Sequence, residues 1–232
     1  VEKMIRAVAT DVDGTITNYR DELYPEAIIA IRELEREGIP VILCSGNALC
    51  VLKALARYIG CTGPTVSENG AVVEYKASMR ILGRRGIARQ VVDELKRIYG
   101  QSVVESWSNR FRFVDLAIRR TIDIGKVQEV VSKFEGVKVI DSNFAYHITD
   151  RNVDKGKGLI RALKFLGIKP EEVAGIGDSI TDLEMLAVCG YKAVVGNADQ
   201  RLKDTADFVS DREFGLGFAD IAERLLSMKR SK

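Results

Sequence analysis

A single histidine, His147, stands among 232 residues. The four cysteines (Cys44, Cys50, Cys61 and Cys189) form no C-x-x-C pair. One histidine with scattered cysteines cannot build a zinc site of the usual spacing, and reduced thiols are the expected state. Charge of one sign is also missing: Lys plus Arg number 35, Asp plus Glu 33, and the net charge is +2. Such a balance gives no field for nucleic acid, and the ending MKRSK is too short to act as a basic arm. No apolar run approaches the roughly 20 residues of a membrane helix. The opening VEKMIRAVAT lacks the apolar stretch of a secretion signal, so a cytoplasmic protein is expected. No G-x-x-x-x-G-K-[ST] stretch is present, and no G-x-G-x-x-G follows the first apolar run, which argues against a P-loop kinase and a dinucleotide-dependent dehydrogenase.

What is present alternates. MIRAVAT reads as a buried strand, PEAIIAIRELEREG as a helix with Pro25 in its first turn and Gly38 at its stop, and PVILCSG as a strand covered on both faces. LCVLKALARYIG is a second helix and PTVS a short strand. The rhythm predicts an α/β fold with a parallel sheet and helices on both faces. It then changes: helix ARQVVDELKRIYG, strand FRFVDLAIR, helix IGKVQEVVSKFEG, and strands VKVID and AYHIT around a tight turn at Ser142-Asn143. These predict a small α+β unit whose antiparallel sheet has one open face. After DKGKG the first pattern returns through VAGIGD, YKAVVG and DFVS to a last helix at FADIAERLLSM. The reading is a Rossmann-like core over 1–82 and 153–232 interrupted by an α+β insertion over 83–152.

Ligands of open parallel sheets bind beyond the carboxyl ends of the strands, and four polar clusters fall there. Asp11 and Asp13, followed by Gly14 and Thr15, close the first strand. Two carboxylates this close call for a cation, a shared proton or both. Ser45-Gly46-Asn47 follows VILC, Lys155 precedes the returning helix, and Asp178 with Asp182 follows VAGIG. Each has a plain alternative: a turn for Asp11–Gly14, a helix cap for Ser45 or the Asp178/Asp182 pair, a solvated loop lysine for Lys155, with Lys157 as its rival. Glu68, in SENGA, reads as structural beside an Asn-Gly hairpin turn, and His147 as packing.

In order and spacing, DVDGT, LCSGN, DKG and GDSITD resemble the four motifs of the haloacid dehalogenase-like phosphatases, over nearly the whole chain. The insertion resembles the C2-type cap of the Cof-like branch. Length, cap size and SENGA are most similar to the archaeal phosphoglycolate phosphatases. Thr181 and Asn47 depart from residues common in relatives. The resemblance implies a magnesium-dependent phosphomonoester hydrolase with Asp11 as nucleophile and Asp13 as acid/base. It further implies Ser45, Gly46 and Lys155 on the phosphoryl group, and magnesium near Asp11, Asp13 (through its backbone), Asp178 and Asp182. A small phosphorylated metabolite, 2-phosphoglycolate first, is the implied ligand, with no nucleic-acid or membrane partner and with a homodimer admitted. A sugar-phosphate phosphatase or phosphomutase would use the same site, and a phospho-accepting signalling domain is the reading from another class. In the insertion, Trp107, Asn109, Arg110 and Arg112 are candidates for selecting the leaving group.

Overall fold

In a computed structural model, residues 4–230 are described. Eight strands form one sheet in the order β11-β10-β9-β1-β2-β3-β4-β5. Its centre is β1 (Ala7–Thr10), with β2 (Val41–Cys44) on one side and β9 (Val173–Gly177) on the other, both parallel to it. The sheet continues in parallel through β10 (Tyr191–Val194) to β11 (Phe208–Val209), and in the other direction to β3 (Thr65–Ser67). The chain winds one way from β1 to β2 and later the other way from β9, so the end of β1 is a topological switch point, where crevices open.

Side-chain alternation decides which helices cover which face. Val8, Val41 and Leu43 meet α1 (Pro25–Arg36), α2 (Leu49–Ile59) and α8 (Phe214–Arg230), through Ile31, Leu34, Leu52, Phe218 and Leu225. Ala7, Ala9, Ile42 and Cys44 meet α5 (Lys155–Leu166) and α6 (Leu183–Val188), through Leu159, Leu163, Met185 and Leu186. Apart from Thr10 at the end of β1, the residues of β1 and β2, buried on both faces, are apolar, which is why these runs read as continuous rather than alternating.

Of the two strands beyond β3, the first follows the Asn69-Gly70 turn read in the sequence, and the second has no clear mark there. β4 (Val72–Tyr75) and β5 (Ser78–Ile81) run antiparallel and extend the sheet. Their turn holds Lys76 and Ala77 at φ 46° and 66°. That conformation is normally signalled by Asn-Gly, and neither Lys nor Ala advertises it.

Between β5 and α5, a second sheet of order β6-β8-β7 is built from β6 (Leu116–Arg119), β7 (Val137–Asp141) and β8 (Ala145–Asp150). Leu116, Ile118, Tyr146 and Ile148 face α3 (Ile87–Tyr99) and α4 (Ile124–Val131) and form a separate apolar cluster with Val91, Leu95 and Val127. The intervening positions Ala117, Ala145 and His147 point the other way, over the carboxyl edge of the main sheet. The strand expected over FRFVDLAIR is half loop: Trp107–Phe111 is a 3₁₀ turn and only Leu116–Arg119 pairs. The backbone N–H groups of Phe113, Val114 and Asp115 are drawn off by Glu68 instead of a neighbouring strand. Among the described residues, no helix is long and apolar enough to cross a membrane.

Candidate active site

The ends of β1, β2 and β9 and the start of α5 converge on a cavity of about 250 Å³. Its floor carries Asp11, Asp13, Gly46, Asn47, Lys155 and Asp178; its roof includes Ala117 and His147. Asp11 is buried where β1 ends, and its backbone N–H donates to Ile176 of β9. The turn that follows depends on Gly14, whose φ is +86° and whose added Cβ would lie 2.5 Å from Asp178 Oδ2. Any side chain there would strain the backbone and push the β9 carboxylate away. Thr15 Oγ1 donates to Asp178 Oδ1 at 2.9 Å and ties the two strand ends together.

Lys155 occupies the first position of α5 with its side chain only 4% exposed. Its ammonium donates to Asp11 Oδ1 at 2.6 Å and to Asp182 Oδ1 at 2.7 Å. Burial works against its charge, but the two carboxylates outweigh that and raise its pKa. Lys157, the rival from the sequence, points outward to Asp154 and the Asn152 carbonyl. Asp182 is fully buried; its Oδ2 accepts the N–H groups of Asp178 and Ser179, so it shapes the loop after β9 as well as holding Lys155. Ser45 does not cap α2, whose N-cap is Ala48. Its hydroxyl stands 3.4 Å from Asp13 Oδ2, and Asn47 Nδ2 donates to the same oxygen at 2.9 Å. Thr181 also lines the cavity, sharing a hydrogen bond with Ser179.

Four carboxylates on the floor face one ammonium. Burial, then the charge of Asp182, raises the Asp11 pKa well above the carboxylate range, with Lys155 opposing. Burial raises Asp13 too, against Lys155, Ser45 and Asn47. Asp178 is pushed up to about 7 by burial and by Asp182. Oxygens of Asp11, Asp178 and Asp182 lie within 4.8 Å of one another. An all-oxygen carboxylate donor set at a cavity wall fits a hard divalent cation.

The roof holds a second buried group that the sequence did not single out as a unit. Asp115, fully buried, accepts from Arg112 Nη1, from His147 Nδ1 at 2.9 Å and from Asn69 Nδ2 at 2.9 Å. Burial raises its pKa, but Arg112, His147 and Asn69 more than offset that and the net shift is downward. Arg112 also donates to the Gly46 carbonyl at 2.9 Å. Of the other insertion candidates, Trp107 lines the cavity, Asn109 is spent on Glu105 and the Ala117 backbone, and Arg110 is exposed over the Phe111 ring. Glu68 is structural, tying the main sheet to residues 113–115. A buried acid in the apolar run FVDLAIR was the available signal for Asp115; pairing it with His147 needed the strand register.

The haloacid dehalogenase-like hydrolase family matches this chain over residues 8–110 and 118–220. A phosphoglycolate phosphatase of Methanospirillum hungatei is 37% identical over 222 residues, covering 94% of this chain and 95% of that protein. Another, of Methanothermobacter thermautotrophicus, is 38% identical, covering 96% and 99%. A crystal structure from Thermoplasma acidophilum superposes with a TM-score of 0.88 at 28% identity, covering 96% of this chain and 99% of that one. The chain belongs to the haloacid dehalogenase-like hydrolase family.

Proposed function

We propose that this phosphatase cleaves small phosphomonoesters with magnesium through an aspartyl-phosphate on Asp11, and that 2-phosphoglycolate is its substrate. The observation that carries the reading is the division of labour at the end of β1. Asp11 has one oxygen held by Lys155 and, among the described residues, no hydrogen-bond partner on the other. Asp13 stands two residues on, held by Asn47. Burial raises both carboxyls, so the roles would divide through the cation: Asp11, as its ligand, would be kept ionised, while Asp13, offering it only a backbone carbonyl, keeps a side chain free to carry a proton.

An oxygen of Asp11 donates an electron pair to phosphorus, the ester P–O bond breaks, and Asp13 passes its proton to the departing alcohol oxygen. Water then attacks the aspartyl-phosphate, Asp13 takes its proton, and inorganic phosphate leaves with Asp11 restored. Lys155, the Ser45 hydroxyl and the Gly46 amide hold the phosphoryl oxygens as charge moves onto them. The Asp11 and Asp178 side chains and the Asp13 carbonyl would hold the cation, with Asp182 fixing the loop behind them. When bound, it offsets a carboxylate–phosphate repulsion of about 4 kcal/mol per charge pair at about 4 Å and an effective dielectric near 20. The insertion would serve as the cap that keeps bulk water from the acyl phosphate. A signalling receiver needs neither a second acid nor a roofed cavity, and both are present.

The named relatives and the small cavity support phosphoglycolate. Phosphate release over a panel of phosphoesters, with magnesium and with EDTA, tests the reading. Multiple turnovers that favour phosphoglycolate and vanish with EDTA are expected; turnover undiminished by complete metal removal would contradict it.

A further inference from the structure

We infer that Arg112 reads the leaving group: its free guanidinium edge takes a carboxylate carried next to the phosphoryl group, and Asp115 and His147 hold that edge in place. The inference deepens the proposed function and rests on it.

An arginine has five N–H donors in a rigid plane. Arg112 commits its Nε to Ser108 Oγ at 3.1 Å and its Nη1 to Asp115 and to the Gly46 carbonyl. Nη2 has no hydrogen-bond partner among the described residues, although the side chain is only 4% exposed and the residue lines the cavity. Three donors of this guanidinium are fixed by the protein, and the residue lines the cavity with the donors of Nη2 uncommitted. Its place is set by Gly46, the residue after Ser45, so the free edge lies beside the turn assigned to the phosphoryl group. A leaving group reaching from one to the other must be short. The remaining Nη2 donors carry part of a positive charge, and a charge-assisted contact of that kind favours a carboxylate oxygen over a neutral hydroxyl.

Asp115 is the counterpart that makes this burial tolerable. It accepts from Arg112 on Oδ1 and from His147 and Asn69 on Oδ2. His147 Nδ1 shares Asp115 Oδ2 with Asn69 and so fixes the carboxylate that holds Arg112. His147 is a positioning residue acting through Asp115, and Arg112 is the group that meets the substrate. Asn69 joins the pair to the main sheet, which keeps the roof in register with the floor.

The test compares 2-phosphoglycolate with its neutral isostere 2-phosphoglycolamide, using wild type, Arg112→Gln, Arg112→Lys and His147→Gln, with thermal melts as the check on folding. Wild type is expected to prefer the carboxylate. Arg112→Gln should lose at least about tenfold more kcat/KM on phosphoglycolate than on the amide, mostly through KM, since a charge-assisted contact is removed. His147→Gln should shift the same ratio in the same direction by less. Arg112→Lys keeps the charge without the fixed guanidinium plane and should fall between Arg112→Gln and wild type; it serves as the readout should Arg112→Gln fail to fold. Wild type that turns over both esters equally would overturn the phosphoglycolate reading itself. Wild type that prefers the carboxylate, with that preference intact in folded Arg112→Gln or Arg112→Lys, would overturn the Arg112 assignment alone. Equal loss on both esters would do the same and make Arg112 a tie between roof and floor.

Discussion

The floor and the roof of the cavity both bury carboxylates beside a cation, yet they resolve the charge in opposite ways. On the roof, Asp115 is matched by Arg112, His147 and Asn69, and its pKa falls despite complete burial. On the floor, one lysine serves Asp11 and Asp182, Asp13 and Asp178 stand close by, and Asp11, Asp13 and Asp178 are all raised. A satisfied carboxylate is a structural or aiming device. A cluster with four carboxylates and one ammonium at a strand end is short of positive charge, which a metal ion can supply. Burial alone does not separate the two; the balance of partners does.

That contrast can be broken from either side. The largest effect is expected on the floor. Asp13→Asn removes the proton donor while keeping a hydrogen-bonding side chain, and should lower kcat by roughly 10²–10⁴-fold. Its melting temperature should stay near that of wild type, because the floor is not optimised for stability. A near-wild-type rate would remove Asp13 from proton transfer; a large loss of stability with it would erase the distinction between floor and roof.

The smaller effect is expected where the roof is anchored. Glu68 accepts backbone N–H groups from Phe113, Val114 and Asp115, and its conformation is itself left-handed at φ 51°. Glu68→Gln turns one acceptor oxygen into a donor facing those amides. A loss of about 1–3 kcal/mol is expected, read as a lower denaturant midpoint. The chemical step, measured by single turnover at saturating substrate, should change less than in Asp13→Asn. An unchanged midpoint would show that residues 113–115 are held by something other than Glu68.

The same contrast explains what could be read from the sequence. The floor is written in contiguous pieces, each placed by the strand it terminates: DVDGT after β1, LCSGN on β2, GDSITD after β9. Predicting a parallel sheet is then enough to gather Asp11, Ser45 and Asp178 at one edge. The roof is written in scattered single residues, and Asp115 meets His147 only through the register that sets Ala117 opposite His147. No local pattern carries that register. FRFVDLAIR reads as one strand because its residues alternate, and half of it is loop because a buried glutamate 45 positions earlier takes its amides. The β4–β5 turn hides for a different reason: Lys76 and Ala77 adopt a conformation their own preferences oppose, held there by the pairing on either side.

The central claim is that Asp11 carries the phosphoryl group between the two halves of the reaction. Rapid acid quench of the magnesium-loaded enzyme during turnover of phosphoglycolate, followed by mass spectrometry of the peptide containing Asp11, tests it directly. A phosphoryl adduct on that aspartate, absent from Asp11→Asn, is the predicted result. Steady turnover by Asp11→Asn at the wild-type rate, with no adduct in either protein, would contradict the account.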